Sequence, residues 1–547
     1  MRFKKQKRIN NMNKILKSIM GVSAVAVCLG SFTSCMDETE PTTVATEEQI
    51  AASTSASEAL LMAMPAYFNK YTNNGWHHGF GYPSMMYIRD LMTGDLCQTD
   101  NTSGYHSHFY YWARNKYQGD GYIFGQYIYN YFYEFVLTTN NMIGGVNEQT
   151  ATAKQLGYLG AGLAFRAMVY LDMARCFEFL PHEHNLDGKN IDGNIVTNLT
   201  VPIVKAGMTQ EEARNNPRAT RTEMFDFILE DLNKAEEYIV NLESTSGNVL
   251  PDLACVYGLK ARLYMWVEDY AKAATYARKA IDQASTDPMT QEECINTKTG
   301  FNDISQWMWG TKMTSEDDVV KTGIINWASW LSNQTSFGYT GPSTSLYNMI
   351  DKNMYERIAD TDFRKLLWIA PAGSALEGQT PMIEGCAELP EYVAVKFRPN
   401  EGNIETHETG AATCVPVMRV EEMYFIEAEA VAHSNADNGK ALLEQFMQTY
   451  RDASYACTNS DIIDEIVFQK RVELWGEGHT FFDVKRLNMS VTRGYPGTNW
   501  YDLTRLNTNG RPAWMNFVIV RTEANNNQGL VGMNNPDPSD LYTPWTE

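Results

Sequence analysis

Several signals are missing from this chain, and each absence removes a class of function. None of its nine cysteines stand in CxxC spacing, so a zinc cluster is not indicated. There is no HExxH helix motif, no GxSxG elbow, no Walker loop and no dinucleotide-binding glycine pattern. The usual signatures of zinc proteases, serine hydrolases, nucleotide hydrolases and dehydrogenases are therefore lacking. Basic charge is scarce: 45 Lys and Arg stand against 66 Asp and Glu, for a net charge of −21. Nucleic acid needs a basic footprint, so it is not an expected partner. An acidic surface also repels anionic ligands at long range, which favours a neutral ligand. After the first three dozen residues, no stretch is apolar and long enough to span a bilayer.

The N-terminus reads as a targeting segment. Arg2, Lys4, Lys5, Lys7, Arg8, Lys14 and Lys17 precede an apolar run from about Ile19 to Phe32, with no acid among them. That run is about 14 residues, short of the ~20 a membrane-spanning helix needs, and it closes on Thr33-Ser34-Cys35. Small residues before a cysteine point to lipoprotein processing, with Cys35 lipid-modified as the new N-terminus. Asp37, Glu38, Glu40 and the following Pro41-Thr42-Thr43 lack apolar periodicity and suit a solvated tether. The expected organisation is a signal peptide at 1–34, a lipidated flexible tether at 35–55 and a single globular domain at 56–547. The remaining cysteines, Cys97, Cys176, Cys255, Cys294, Cys386, Cys414 and Cys457, are odd in number and read as buried free thiols.

Within the globular part the expected class is mainly α. Lys154–Phe179 carries Leu156, Leu159, Leu163, Ala167, Tyr170, Ala174 and Phe177 at helical spacing, and Thr222–Ile239 follows a cap at Thr220 or Thr222. Leu253–Val267 and Tyr270–Ile281 place small residues such as Gly258, Ala261, Ala274 and Ala277 so that two helices approach closely, a degenerate tetratricopeptide pattern. A similar pair recurs at Arg419–His433 and Asn438–Arg451, and a last helix runs from about Asp461 to Gly476. Such a stack usually needs about three adjacent repeats, so here it must be assembled from distant parts of the chain. Between them, about 282–413 is an inserted, loop-rich region with short helices and a few short strands, one of them expected at Val393–Phe397. Residues 488–547 are likewise irregular.

Two C-terminal stretches carry a resemblance. Arg419-Val420-Glu421-Glu422-Met423-Tyr424, continuing to Ala428-Glu429-Ala430, is similar to the Arg–x–x–Glu–x–Tyr–x–x–x–Ala–Glu–Ala helix of the SusD/RagB family of Bacteroidetes outer-membrane lipoproteins. Arg471-Val472-Glu473-Leu474-Trp475-Gly476-Glu477-Gly478, then Phe482-Asp483-Val484-Lys485-Arg486, resembles that family's Arg–x–Glu–Leu–x–x–Glu–Gly and Phe–Asp–x–Lys–Arg. Ala164-Phe165-Arg166-Ala167, Pro217-Arg218, Ile228–Leu232 and Asp360–Arg364 are weaker matches. The resemblance implies a lipid-anchored, surface-exposed outer-membrane protein. It would bind oligosaccharides or polysaccharides and serve a SusC-like TonB-dependent transporter. It would have no catalytic activity, and its tetratricopeptide-like helices would form a platform beneath an irregular, loop-rich binding face. Some relatives bind peptides, which leaves a RagB-like peptide receptor as the alternative; a glycosidase ranks below it. The motifs themselves read as scaffold: Arg471 and Glu473 are placed for an Arg–carboxylate fork, Gly476 and Gly478 for a cap and turn, and Phe481 and Phe482 for the core.

Neutral glycans are held by aromatic rings stacked on sugar faces, with polar side chains on the hydroxyls. Aromatics mixed with polar residues occur at 73–82, at 100–112 and at 307–330. The expected ligand residues are Trp76, Tyr105, Trp327 and Trp330 as platforms and Asp100, Asn101 and His106 as hydrogen-bonding groups. Trp327 and Trp330 are three apart, so one helical turn puts both rings on one face. The histidines at 77–78, 106–108 and 182–184 form no recognised metal spacing. Asn185–Asn194 reads as a hairpin with two Asp-Gly turns, because Lys189 stands where a calcium loop needs an acceptor. No cofactor is implied; a structural calcium elsewhere is left open.

Overall fold

Residues 53–72, 77–100, 107–243 and 247–547 are described by the structure, a computed structural model. The expected signal segment, Cys35, the expected tether up to residue 52, and Trp76, Asn101, Tyr105 and His106 lie outside the described residues. Ten helices of ten residues or more are found among the described residues: α1 Thr54–Phe68, α2 Tyr82–Leu91, α3 Ile123–Gly144, α4 Ala153–Phe177, α5 Arg221–Tyr238, α6 Leu253–Trp266, α7 Tyr270–Gln283, α8 Val420–Ala432, α9 Ala436–Tyr450 and α10 Ile462–Glu473. The expected mainly α class is what the chain adopts.

The start signals are local. Thr152 with Gln155 and Thr220 with Glu223 form capping boxes at α4 and α5, each side chain satisfying an otherwise orphaned backbone N–H. The Asp252, Asp269, Asn435 and Asp461 side chains cap α6, α7, α9 and α10. Small residues then set how near the helices lie. A Cβ on Gly439 of α9 would sit 2.6 Å from Ala432 Cα of α8, so that crossing admits only glycine.

Packing follows one path: α3 on α4, α4 on α5, α5 on α6, α6 on α7, α7 on α8 and α8 on α9. The step from α7 to α8 joins helices separated by the whole inserted region, which is how the two expected hairpins become one array. Two antiparallel strand pairs bind the insertion to it. β1 Leu96–Gln98 pairs with β3 Asn348–Ile350, and β2 Trp309–Lys312 with β4 Cys414–Met418, which runs directly into α8. Val393–Phe397 differs from expectation. It is extended but held only by bridges at Met349–Val393 and Trp368–Ala394. Ala394 and Lys396 are buried as deeply as Val393, Val395 and Phe397, so it has no polar face.

The motif residues are structural. Arg166 of α4 forks onto Asp231 of α5 at 2.8 and 2.7 Å, and so joins two of the weaker matches. Arg218 donates to the carbonyls of Thr200, Phe177, Leu199 and Met533 and to Asn535, fastening the C-terminal segment to the end of α4. At the C-terminal end of α10 a buried ion cluster forms. Glu473 accepts from Arg451 (2.7 Å), Arg419 (3.2 Å) and Arg364 (3.2 Å), while Glu477 accepts from Lys396 (2.7 Å) and Arg419 (3.0 Å). The expected fork of Arg471 does not reach Glu473; Arg471 pairs with Asp95 beside β1. Residues two apart on a helix point to different sides, and each found its own partner. Gly476 and Gly478 have φ of +79° and +74°, as a cap and turn require. Phe481 and Phe482 are buried. All seven described cysteines are free thiols, with only Cys386 outside the buried class.

Candidate functional site

Three of the seven expected ligand residues fall within the described chain. Asp100 is exposed and follows β1. Its carboxylate lies beside the phenol of Tyr501, which is raised first by burial and then by that charge. The Tyr501 ring in turn meets that of Tyr110, with centroids 5.9 Å apart. Tyr110 is buried, so the exposed Asp100 carboxylate and the half-buried Tyr501 phenol are the pair suited to sugar hydroxyls.

Trp327 and Trp330 correct the expectation. They share the short helix Trp327–Leu331, capped by Asn326, and are 1% and 0% exposed. Trp330 stacks on Tyr339 at 4.2 Å, meets Phe109 edge-on at 4.5 Å and donates its indole N–H to the His77 carbonyl. Trp327 lies edge-on to Phe397 at 5.1 Å. Spacing of three does gather rings on one turn, but it does not distinguish an inward face from an outward one, and these indoles are core. Trp307 and Trp309 are buried too.

The exposed rings lie one segment further on. The helix Ser107–Ala113 carries Tyr111, half-buried, which meets Tyr117 edge-on at 4.7 Å. Tyr117 lies 5.1 Å from Tyr122 and, nearly parallel, 6.4 Å from Phe124. Tyr117 and Tyr122 are 39% and 43% exposed, with Ile123 exposed beside them. Together they make an apolar, ring-lined surface patch.

That patch is held in place from a distance. Asn115 and Tyr117 adopt left-handed backbone (φ +54° and +59°), a conformation that is costly for tyrosine and persists only when its surroundings impose it. The surroundings are the C-terminal segment. Asn115 Nδ2 donates to the Pro538 carbonyl, Asp540 N donates to the Asn115 carbonyl, and the Gln118 N–H donates to Ser539 Oγ. Lys116 pairs with Asp540, and Arg521 pairs with Asp120 at 3.0 Å. Rings that are ordered before a ligand arrives lose little entropy on binding it. Sequence reasoning passed over Tyr117 and Tyr122; the available signal was the Gly119-Asp120-Gly121 turn with a tyrosine near each side.

Among the described residues no group of three or more His, Cys, Asp and Glu is arranged to hold a metal ion. His78 is buried against Phe109, Phe124 and Tyr127. Burial, followed by the neighbouring His184, pushes His182 down to about 4. Asn185–Asn194 does turn back on itself, through an antiparallel bridge between Lys189 and Ile195. Among the described residues no helix is long and apolar enough to cross a membrane.

Residues 389–543 match the model of the SusD family. A SusD-like carbohydrate-binding protein from Bacteroides vulgatus has a similar fold. The two are 22% identical, over 88% of this chain and 98% of that one, with a TM-score of 0.66. A SusD superfamily protein from Bacteroides thetaiotaomicron is 17% identical over 87% and 98%, with a TM-score of 0.63. A laminarin-binding SusD-like protein is 17% identical over 79% and 91%, with a TM-score of 0.56. No curated protein matches the chain in sequence.

Proposed function

We propose that this chain, whose residues 389–543 match the SusD family model and whose fold is SusD-like, captures oligosaccharides or polysaccharides at the cell surface without cleaving them. The observation that carries the reading is the clamped patch of Tyr111, Tyr117 and Tyr122: amphipathic rings, open to solvent and ordered in advance. Apolar sugar faces stack on such rings, while the Asp100–Tyr501 pair offers partners to hydroxyls. The acidic balance of the chain favours neutral glycans over charged ones.

In this reading Cys35 carries the lipid that ties the chain to the outer membrane, and the acidic tether spaces it from the surface. The helical array from α3 to α9 faces a SusC-like TonB-dependent transporter that takes up the captured glycan. Capture is an equilibrium step with no covalent chemistry. Contact along several sugar units makes affinity rise with chain length.

A panel of purified glycans and peptides, with reducing ends assayed in parallel, tests the proposal. Laminarin, named for one SusD-like relative, is a natural first member. Glycan retention without new reducing ends is the expected result. Retention of peptides alone would replace the proposal with a peptide receptor, and released reducing sugar would make the protein a hydrolase.

A further inference from the structure

The C-terminal end of α4 opens on a cavity of about 240 Å³, walled also by α6 and by the short helix Thr480–Arg486. Its lining is unusual for so acidic a chain, since seven cationic side chains face four acidic ones. Most of the cations are matched. Arg262 forks onto Glu422, Arg221 pairs with Glu178 at 2.5 Å and Lys470 with Asp483 at 2.9 Å. Arg175 shares Asp172 with Arg89.

Two cations are not matched by a carboxylate. Lys485 spends its three N–H groups on the carbonyls of Arg175, Cys176 and Glu178, at the negative end of the α4 dipole. Arg511 donates to the carbonyls of Lys485 and Pro181. Arg486 is bound by Glu429 and Asp483 through Nε and Nη2. Its side chain is 9% exposed, and its guanidinium also lies beside the Tyr270 phenol, so it contributes charge to the cavity wall but no free donor. The neighbouring imidazole reports the resulting field. Burial first, then the cations Arg262, Arg89, Lys470 and Arg175, hold His479 well below its usual range. Burial likewise pushes Lys485 down to about 7.

We propose that this cavity binds a small oxyanion, a carboxylate or a phosphate-class group, on Arg511. Arg511 gives its Nε and Nη1 to carbonyls and keeps Nη2 for a ligand; a guanidinium N–H group suits carboxylate and phosphate oxygens, and burial strengthens the attraction. At roughly 30 Å³ per water the cavity has room for about eight waters, enough for one small anion with its remaining hydration. The site is independent of the tyrosine patch and of what binds there. Its sign is opposite to that of the chain as a whole, so the acidic surface selects against highly charged polymers while the cavity retains a single small anion.

The test uses the folded chain and titrates inorganic phosphate and, separately, glucuronate, with sodium chloride holding ionic strength constant. Saturable binding with a Kd at or below about 10 mM is expected for at least one of them, and glucose should not compete. The tighter of the two identifies the source of the anion. Arg511→Gln should weaken binding at least tenfold. Because Arg511 also braces two backbone carbonyls, Asn198→Asp is the second variant. Asn198 lies on the cavity lining with φ +60°, which Asp also tolerates, so a negative charge is added without removing a contact. A threefold or greater loss of anion affinity with unchanged melting temperature supports the site. No saturable binding of either anion, or undiminished binding in both variants, overturns it.

Discussion

Replacing Glu473 by Gln removes one negative charge from the centre of the buried ion cluster and changes little else in shape. Three guanidiniums converge on this carboxylate. Arg451 donates from Nε at 2.7 Å and Nη2 at 2.9 Å, Arg419 from two nitrogens at 3.2 Å, and Arg364 at 3.2 Å. Each keeps a second acidic neighbour: Glu421 for Arg451 and Arg419, and Asp362 for Arg364. The cluster is therefore weakened and not abolished, but it is left with uncompensated positive charge out of reach of water. Breaking a buried pair by removing one partner costs about 3–5 kcal/mol. Unfolding entropy is about 2.1 cal/mol/K per residue, so a unit of roughly 500 residues carries about 1 kcal/mol/K. The melting temperature should thus fall by about 3–5 °C, read by calorimetry at neutral pH, while glycan affinity at 25 °C stays at the wild-type value. A shift below about 1 °C, or lost binding at an unchanged melting temperature, would refute the assignment of this motif to scaffold.

Three further outcomes follow from the same contacts. Burial alone would raise the Glu473 carboxyl, but Arg451 and Arg419 hold it well below its ordinary range. Its contribution is present above the unfolded value, about 4.3, and is lost as pH falls, so the gap between wild type and Glu473→Gln should narrow below about pH 4.5. A gap that stays constant down to pH 3 contradicts this. Trp330→Ala empties a site packed by Tyr339 and Phe109 and should cost about 3–5 kcal/mol, lowering the melting temperature with or without glycan. A variant that melts like wild type but loses glycan would return Trp330 to the ligand site. Cys35→Ser should move the protein from the membrane fraction to the soluble one; continued membrane association would remove the lipid anchor from the account.

Much of the helical frame was legible because it rests on local rules. Gly258, Ala261, Ala274 and Ala277 mark a close crossing, and Thr220 marks a helix start, so α4 to α10 could be placed within a few residues. α3 was not placed. Its buried Phe124, Tyr127, Tyr129, Tyr131, Phe132 and Phe135 crowd the first half, and the polar stripe of Gln126, Asn130, Glu134, Thr138 and Asn141 that marks the opposite side was passed over. Site residues were harder for a different reason. Whether a tryptophan faces inward depends on what is folded over it, and Trp330 is covered by His77 and Phe109, more than 200 residues upstream, as well as by nearby Tyr339. The tyrosine patch is set by Pro538, Ser539 and Asp540, more than 400 residues downstream in sequence, which no local pattern around Tyr117 reveals. The pairing of Arg471 with Asp95 spans a similar separation.

Calorimetric titration of the soluble chain with its best-retained glycan, in a series of increasing length, tests the central claim most directly when repeated on the Tyr117→Ala/Tyr122→Ala variant. Affinity for wild type should rise with length, and the variant should bind at least about tenfold more weakly, roughly 1.4 kcal/mol, at an unchanged melting temperature. Equal affinity in the two proteins, or a monosaccharide held as tightly as a long oligomer, would contradict capture on these rings.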